Sequence, residues 1–304
     1  MPRIKETIPV RSCSGKRVSH GYSFPFLYLC FFIYVFQAAY IKWMKEIYGK
    51  EVTGMNGELH DLCAHTLHAN LALQENTAFA PLPENYILDR KYIFSESFGF
   101  CTSAEKWFEI SVKRGMHAVQ LIVPVKSENR SHLGFVNETR AYLVLFRKNR
   151  GPSVLVPYWS FDAKKKGWHV IYRESEWVDK PVSVPVFEDE SEELIAVLNE
   201  IEALAEDIHE TYFASCFRSA REILEGKKMP EYEPFPDLPE PYGRILAAVS
   251  RADLFGAMGS WNDCPPGEAR EIGRENDYNR LSDALLKGIR SNLMYAVNSC
   301  YREV

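Results

Sequence analysis

The spacing of apolar residues changes near residue 190, and this change limits the possible folds. Between Ala118 and Phe187 the apolar residues form short β-branched or aromatic runs, and clusters of Asn, Gly, Pro and Lys separate these runs, as is typical of strands. From Ser191 the apolar spacing becomes 3.6 residues, which indicates amphipathic helices. We therefore expect an α+β fold, with a mainly antiparallel sheet domain and its flanking helices followed by an all-α helical domain.

Local signals divide the first part into individual elements. Helical spacing predicts a helix over Glu58 to Glu75, and a capping box at Thr102 to Glu105 predicts a second helix that stops at Gly115. The segment from Arg147 to Pro152 has the composition of a hairpin turn. The predicted strands are Ala118 to Val125, Ala141 to Arg147, Val154 to Trp159, Trp168 to Tyr172 and Val182 to Phe187.

The second part is predicted to contain three helices. One apolar stripe runs without interruption from Glu190 to Gly226, which predicts a single helix of about nine turns. Five prolines between residues 229 and 241 predict an extended connector. Helices are then predicted at Tyr242 to Phe255 and at Glu268 to Ser299, with the second packing against the long helix.

Charge separates the same two parts. Residues 189–304 contain 23 acidic and 12 basic residues, a net charge of −11, which leaves +6 of the total of −5 for residues 1–188. We predict an α+β domain at 45–188 and an acidic helical domain at 189–304, with the proline-rich connector at 229–241. An overall net charge of −5 argues against a nucleic-acid-binding surface spread over the molecule.

The first 44 residues combine a basic tail with an apolar segment. Phe24 to Ile41 is an uncharged run of 18 residues, just long enough to span a bilayer as a helix. The preferred prediction is a protein anchored in the membrane by this single N-terminal helix. The alternatives are translation from Met44, which predicts a cytoplasmic protein, a signal peptide, and a buried helix.

Cysteine usage excludes two common classes. The five cysteines beyond the apolar run are widely spaced, odd in number and never in a Cys-x-x-Cys pair, so neither a disulfide scaffold nor a zinc ribbon is expected. The sequence also contains no phosphate-binding loop with Gly-Lys-Ser/Thr, and no cofactor is predicted.

The densest group of metal-ligand residue types lies on the first predicted helix. Three histidines fall within nine residues, but the side chains point around more than a third of the helix circumference and lack a His-Glu-x-x-His spacing. A solvated polar helix face is the preferred interpretation, and no metal is predicted. The group consists of Glu58, His60, Asp61, Cys63, His65 and His68.

A cysteine and a histidine form the candidate catalytic pair. Cys101 immediately precedes a predicted helix, whose N-terminus would lower the pKa of the thiol, and His169 opens a predicted strand. This order, together with Gly99-Phe100-Cys101-Thr102, resembles CHAP-type and papain-like amidases and peptidases over about a dozen residues. The resemblance implies Cys101 as nucleophile and His169 as general base. The preferred interpretation of the pair is nevertheless a buried structural cysteine and a half-exposed strand histidine.

A second resemblance lies in the C-terminal part. The block from Gly256 to Asp263 contains Gly259-Ser260-Trp261-Asn262-Asp263, and with the helix that follows it resembles a family of small, helical, uncharacterised bacterial proteins over about residues 190–304. The resemblance implies no activity. From the residues themselves we expect a structural turn in which Trp261 fills a helix junction and Asn262 or Asp263 caps backbone amides.

Aromatic and lysine side chains alternate in the predicted sheet. Such a pattern suits a protein partner, or it is a hairpin with a solvated tip at Lys164 to Lys166. We predict a non-enzymatic bacterial protein-interaction protein, for example an immunity protein, whose acidic helical domain binds a partner with a basic surface. The alternative is the Cys/His-dependent amidase. Candidate binding residues are Trp159, Trp168, Trp177, Trp261 and Asp263.

Overall fold

A six-stranded sheet forms one layer of the protein in a computed structural model, which describes residues 55–82, 86–95, 99–148, 150–177, 186–257 and 259–301. The strands lie in the order β2-β1-β6-β5-β4-β3, and only the pair β1 and β6 is parallel. The mainly antiparallel sheet with flanking helices confirms the α+β prediction. The strands are β1 (Ile87–Ile93), β2 (Phe100–Cys101), β3 (Met116–Ile122), β4 (Tyr142–Arg147), β5 (Ser153–Asp162) and β6 (Gly167–Glu176).

The two helices that flank the sheet begin where the sequence provides caps. The first helix, α1 (Gly57–Glu75), is capped by Asn56, whose side chain accepts a hydrogen bond from the amide of Glu58. The second, α2 (Ala104–Lys113), is capped by Ser103, which accepts from the amide of Lys106 at 3.2 Å. Both predicted helices are thereby confirmed, with Ser103 rather than Thr102 as the N-cap.

The predicted long helix is interrupted. It consists of α3 (Ser191–Asp207) and α4 (Thr211–Leu224), which pack against each other, and the chain turns between them at His209 with a φ of 62°. The prediction of one helix was wrong. Both helices bury the same kind of face in the same core, so the apolar stripe continues across the break and gives no sign of the turn.

The C-terminal helices show the same difference. The first is α5 (Tyr242–Ala252), and the predicted helix from Glu268 is divided into α6 (Pro265–Glu271) and α7 (Glu275–Ser299) by Gly273, whose φ of +74° an L side chain rarely adopts. As predicted, α7 packs against α3: a Cβ atom added at Gly288 would lie 3.0 Å from Leu194.

Two strands were missed and one predicted strand is not observed. Strand β1 has three charged residues at its centre, Asp89, Arg90 and Lys91, which hide the alternation of apolar and polar residues that is typical of a strand. Strand β2 has only two residues. Of the predicted strand Val182 to Phe187, residues 182–185 lie outside the described residues, and Val186 and Phe187 are not in a strand.

One face of the sheet packs against α1, α2 and α7. Because side chains alternate along a strand, this inner face takes Arg90 and Tyr92 from β1 and Val170 and Tyr172 from β6, while the residues between them point to the opposite, outer face. The same core continues into α3, α4 and α5 on the other side of residue 188. The division into domains at 45–188 and 189–304 stays a prediction.

Side-chain amides close the outer edge of β3. Asn70 of α1 accepts from the amide of Val119 at 3.0 Å and donates to its carbonyl at 2.9 Å. Asn298 of α7 makes the same pair of hydrogen bonds to Leu121, at 2.7 and 2.9 Å. The two asparagines therefore satisfy backbone groups that a further strand would otherwise pair with.

The membrane prediction is corrected. Among the helices in the described parts of the chain, none is long and apolar enough to cross a bilayer. The apolar run from Phe24 to Ile41 and the alternative start at Met44 lie outside the described residues.

Candidate functional site

A buried polar network joins α1 to the sheet at the group of residues that the sequence marked as a polar helix face. Asp61 is 2% exposed and accepts hydrogen bonds from Arg90 Nη2 at 2.6 Å and from the hydroxyl of Tyr172. His65, one turn later on α1, lies within 2.7 Å of both the carbonyl oxygen of Asp61 and the hydroxyl of Tyr92. Because a carbonyl oxygen only accepts, Nδ1 of His65 donates to it and Nε2 accepts from Tyr92.

Burial sets the charge state of this network. Loss of water around His65 lowers its pKa to about 4, so the ring is neutral at pH 7. The same desolvation raises the pKa of Tyr172 well above its ordinary value. The interpretation of a solvated face was wrong for Asp61, Cys63 and His65, which are at most 2% exposed. Within the described residues, no three His, Cys, Asp or Glu side chains are placed to hold a metal ion.

A second buried carboxylate lies further along β6. Glu174 is 8% exposed and accepts hydrogen bonds from Arg114, the residue after α2, at 2.6 Å, from Arg147 of β4, and from Ser153 at 2.8 Å. Burial opposes ionisation of Glu174, but the hydrogen bonds from the two arginines outweigh it and lower the pKa. The arginine partners of Glu174 are distant from it in the sequence. The sequence could therefore have indicated these ion pairs only through the alternation of side chains along each strand.

The structure does not bring Cys101 and His169 together. Cys101 pairs with Tyr92 and faces the core, whereas His169 pairs with Asp89 on the outer face. Strand β1 lies between β2 and β6, and Cys101 and His169 are offset by three residues along the strand direction. Their Cα atoms are therefore about 14 Å apart. Burial raises the pKa of the Cys101 thiol, contrary to the expected lowering. A nucleophile and base in these positions cannot share a proton.

His169 has other partners. Its Nδ1 lies 2.7 Å from Asp89 Oδ2, and its Nε2 lies 3.5 Å from Asp162 Oδ2. Asp162 also accepts from the amides of Lys164 and Lys165 at the tip of the β5–β6 hairpin, where the three lysines are exposed. This region is the hairpin with a solvated lysine tip.

The tryptophans chosen as binding residues are mostly inside the protein. Trp261 is 0%, Trp159 3% and Trp177 9% exposed, whereas Trp168 is half-buried. Trp261 donates to Ser282 at 2.8 Å and packs edge-on against Phe217. Asp263 accepts from the amide of Gly259 at 2.7 Å. The predicted structural turn is confirmed, and the buried indole rings have no surface to offer a partner.

Carboxylates and tyrosines lie near the C-terminal end of α7. Tyr295 of α7 lies 5.7 Å from Tyr242 of α5, ring centre to ring centre. Burial, Tyr242 and the nearby carboxylate of Asp189 raise the pKa of Tyr295. Burial, Cys300, Glu75 and Asp237 raise the pKa of Tyr301 to about 12. We call this group the acidic tyrosine surface: Glu75, Asp189, Asp237, Tyr242, Tyr295 and Tyr301.

Four of the six carboxylates of α3 form ion pairs within the molecule. Glu200 pairs with Arg280 at 2.9 Å, Asp207 with Arg274 at 2.8 Å, and Glu202 with Arg218 at 2.6 Å. In contrast, the exposed carboxylates of Glu75, Asp189 and Asp237 form no ion pair with any cation that the structure describes. The acidic tyrosine surface therefore carries negative charge that the fold does not neutralise.

Comparison with known proteins gives no relative. No protein family, curated protein or solved structure matches the chain.

Proposed function

We propose that this is a non-enzymatic protein-interaction protein that binds a partner with a basic surface through the acidic tyrosine surface. The observation that carries the proposal is that the three carboxylates of this surface lack ion pairs in the described structure, whereas Glu200, Glu202 and Asp207 of α3 are paired with arginines. An immunity protein that neutralises a basic toxin in a bacterium is one example of this kind of binder.

The composition of the surface suits binding. Tyr242, Tyr295 and Tyr301 are half-buried, so each ring is held in place while part of it remains accessible. Tyrosine is enriched in protein interfaces because it offers apolar area and a hydroxyl with little loss of side-chain entropy. Surrounding carboxylates attract a basic partner and favour it over an acidic one.

The alternative of an amidase or peptidase has no geometric support. Cys101 and His169 lie on opposite faces of the sheet, and neither approaches the other within hydrogen-bond distance. No observation therefore favours this function over the binding function.

The test is affinity capture from the native cell with matched charge variants. The first variant removes the three carboxylates (Glu75→Gln, Asp189→Asn, Asp237→Asn). The control removes three other exposed carboxylates that have no ion pair among the described residues (Glu128→Gln, Glu176→Gln, Glu271→Gln). Both variants change the net charge equally, so a difference between them reports the location of the charge.

We expect a basic protein that the wild type and the control capture and that the first variant loses. Its dissociation constant for the purified first variant should rise at least about tenfold, because each rim charge contributes part of a kilocalorie to the complex. Capture that is equal in both variants, or lost equally in both, would contradict the proposal.

A further inference from the structure

The outer face of the sheet has two unlike halves. On the β3–β4 side, Val144 is 0% and Phe146 is 8% exposed, and Trp177 packs edge-on against Phe146. On the β5–β6–β1–β2 side the side chains that point outward remain accessible. In the described residues, no helix packs on this second half.

A row of apolar and aromatic side chains crosses the accessible half. Tyr158 of β5 stands directly opposite Ile171 of β6, and Ile171 stands opposite Lys91 of β1. The Lys91 ammonium lies 4.3 Å from the ring centre of Phe100 on β2. Tyr158 is 58% and Phe100 62% exposed. This row crosses four strands, exposed at Tyr158 and Phe100 and half-buried at Ile171 and Lys91, and it is more than the isolated apolar residues of an ordinary surface.

Two cationic side chains lie on this half of the face: Lys91 in this row and Arg173 in the adjacent row. Arg173 is exposed and stands opposite Val156 of β5. It lies two residues along β6 from Ile171, the residue opposite Lys91. The Cα atoms of Arg173 and Lys91 are therefore about 8 Å apart. No carboxylate that the structure describes forms an ion pair with either side chain, and Asp89, the acidic neighbour of Lys91 on β1, is bonded to His169. We call Lys91, Phe100, Val156, Tyr158, Ile171 and Arg173 the open sheet face.

The positive charge of the open sheet face determines which kind of partner can bind to it. Two copies packed face to face would bring Lys91 and Arg173 of one copy near those of the other, and like charges in a dehydrated interface are strongly unfavourable. A segment with apolar residues and carboxylates satisfies both the exposed rings and the two cations. We propose that the open sheet face binds an acidic amphipathic segment of a partner protein, independently of the acidic tyrosine surface and with opposite charge preference.

The test uses two synthetic peptides of about 16 residues, long enough for an amphipathic helix of roughly four turns. Both have the same Leu and Phe positions, and their polar positions are all Glu in one peptide and all Lys in the other. Binding of each fluorescein-labelled peptide to the full chain is measured by anisotropy at low and at high salt. The variant Lys91→Glu/Arg173→Glu is compared with Lys113→Glu/Lys126→Glu, which changes two exposed lysines elsewhere by the same charge.

We expect the Glu peptide to bind the wild type more tightly than the Lys peptide does, with an affinity that falls as salt increases. The open-face variant should lose at least about tenfold in affinity for the Glu peptide, and the control variant much less. Circular dichroism checks that both variants are folded. Equal binding of the two peptides, no binding of the Glu peptide, or equal losses in both variants would overturn the proposal.

Discussion

The two faces of the sheet use the same residue types in opposite ways. Arg90 points to the inner face, is 6% exposed and is held by Asp61, whereas Arg173 points to the outer face and is exposed. Tyr172 and Tyr158 repeat the contrast, since one donates to a buried carboxylate and the other is 58% exposed. A polar side chain on the inner face therefore contributes to stability through its buried partner, while one on the outer face is available for binding.

The largest predicted difference comes from the same substitution on each face. Arg90→Met should lower the free energy of unfolding by about 3 to 5 kcal/mol, because it leaves the carboxylate of Asp61 buried without its cation. Arg173→Met should change it by less than about 0.5 kcal/mol. Urea unfolding of both variants measures the two values. Similar losses in the two variants would show that the inner and outer faces do not differ in this way.

The buried histidine of the inner face makes stability depend on pH. The pKa of His65 is about 4 in the folded protein, against an ordinary value of 6.5. Between these values the unfolded chain binds a proton that the folded protein does not, so stability falls as the pH falls from 6.5 to 4. The loss due to His65 amounts to about 3 kcal/mol, at about 1.4 kcal/mol per pH unit.

The variant His65→Gln isolates this contribution. It is expected to be less stable than the wild type at pH 7, yet to lose less of its remaining stability between pH 6.5 and 4. Unfolding free energies from urea titrations at half-unit pH steps give both slopes. Parallel curves for the wild type and the variant would mean that His65 titrates normally in the folded protein.

A smaller difference is expected for the tyrosines. Tyr172→Phe removes a hydroxyl that donates to Asp61, and it should cost about 2 kcal/mol since the acceptor is charged and buried. Tyr158→Phe removes a hydroxyl from the outer face and should cost less than about 0.5 kcal/mol. The measurement is again urea unfolding, and a Tyr158→Phe loss as large as that of Tyr172→Phe would contradict the distinction.

The smallest effect concerns Cys101, whose side chain faces the core from the edge strand β2. Because burial raises the pKa of its thiol, we expect slow alkylation by iodoacetamide at neutral pH, slower than in the chain unfolded by urea. Cys101→Ala should cost about 1 kcal/mol or less. Peptide mapping after timed labelling gives the rate, and rapid labelling that depends on His169 would revive the amidase hypothesis.

Local signals in the sequence predicted those elements that local chemistry determines. The start of α2 followed from the capping residues, and the turn at Trp261 followed from its glycine and polar residues. The break at His209 could not be predicted in the same way, because α3 and α4 continue one apolar stripe and only their mutual packing requires the turn.

The buried polar network could not be predicted from local sequence signals, because its residues are far apart in the chain. Asp61 and Arg90 are 29 residues apart, and each is an ordinary surface residue until the other is placed beside it. Charge separation along the chain did indicate an acidic helical region, but it could not show which carboxylates are neutralised by arginines and which remain. That distinction depends on distances between helices.

The asparagine pairs at the edge of β3 have a consequence for the order in which the chain is synthesised. Asn70 precedes Val119 by 49 residues, so its half of the edge can close as soon as β3 emerges from the ribosome. Asn298 follows Leu121 by 177 residues. At about 5 to 20 residues per second, the ribosome needs roughly 9 to 35 seconds to supply it, and during this interval half of the edge has open backbone groups that another chain could pair with.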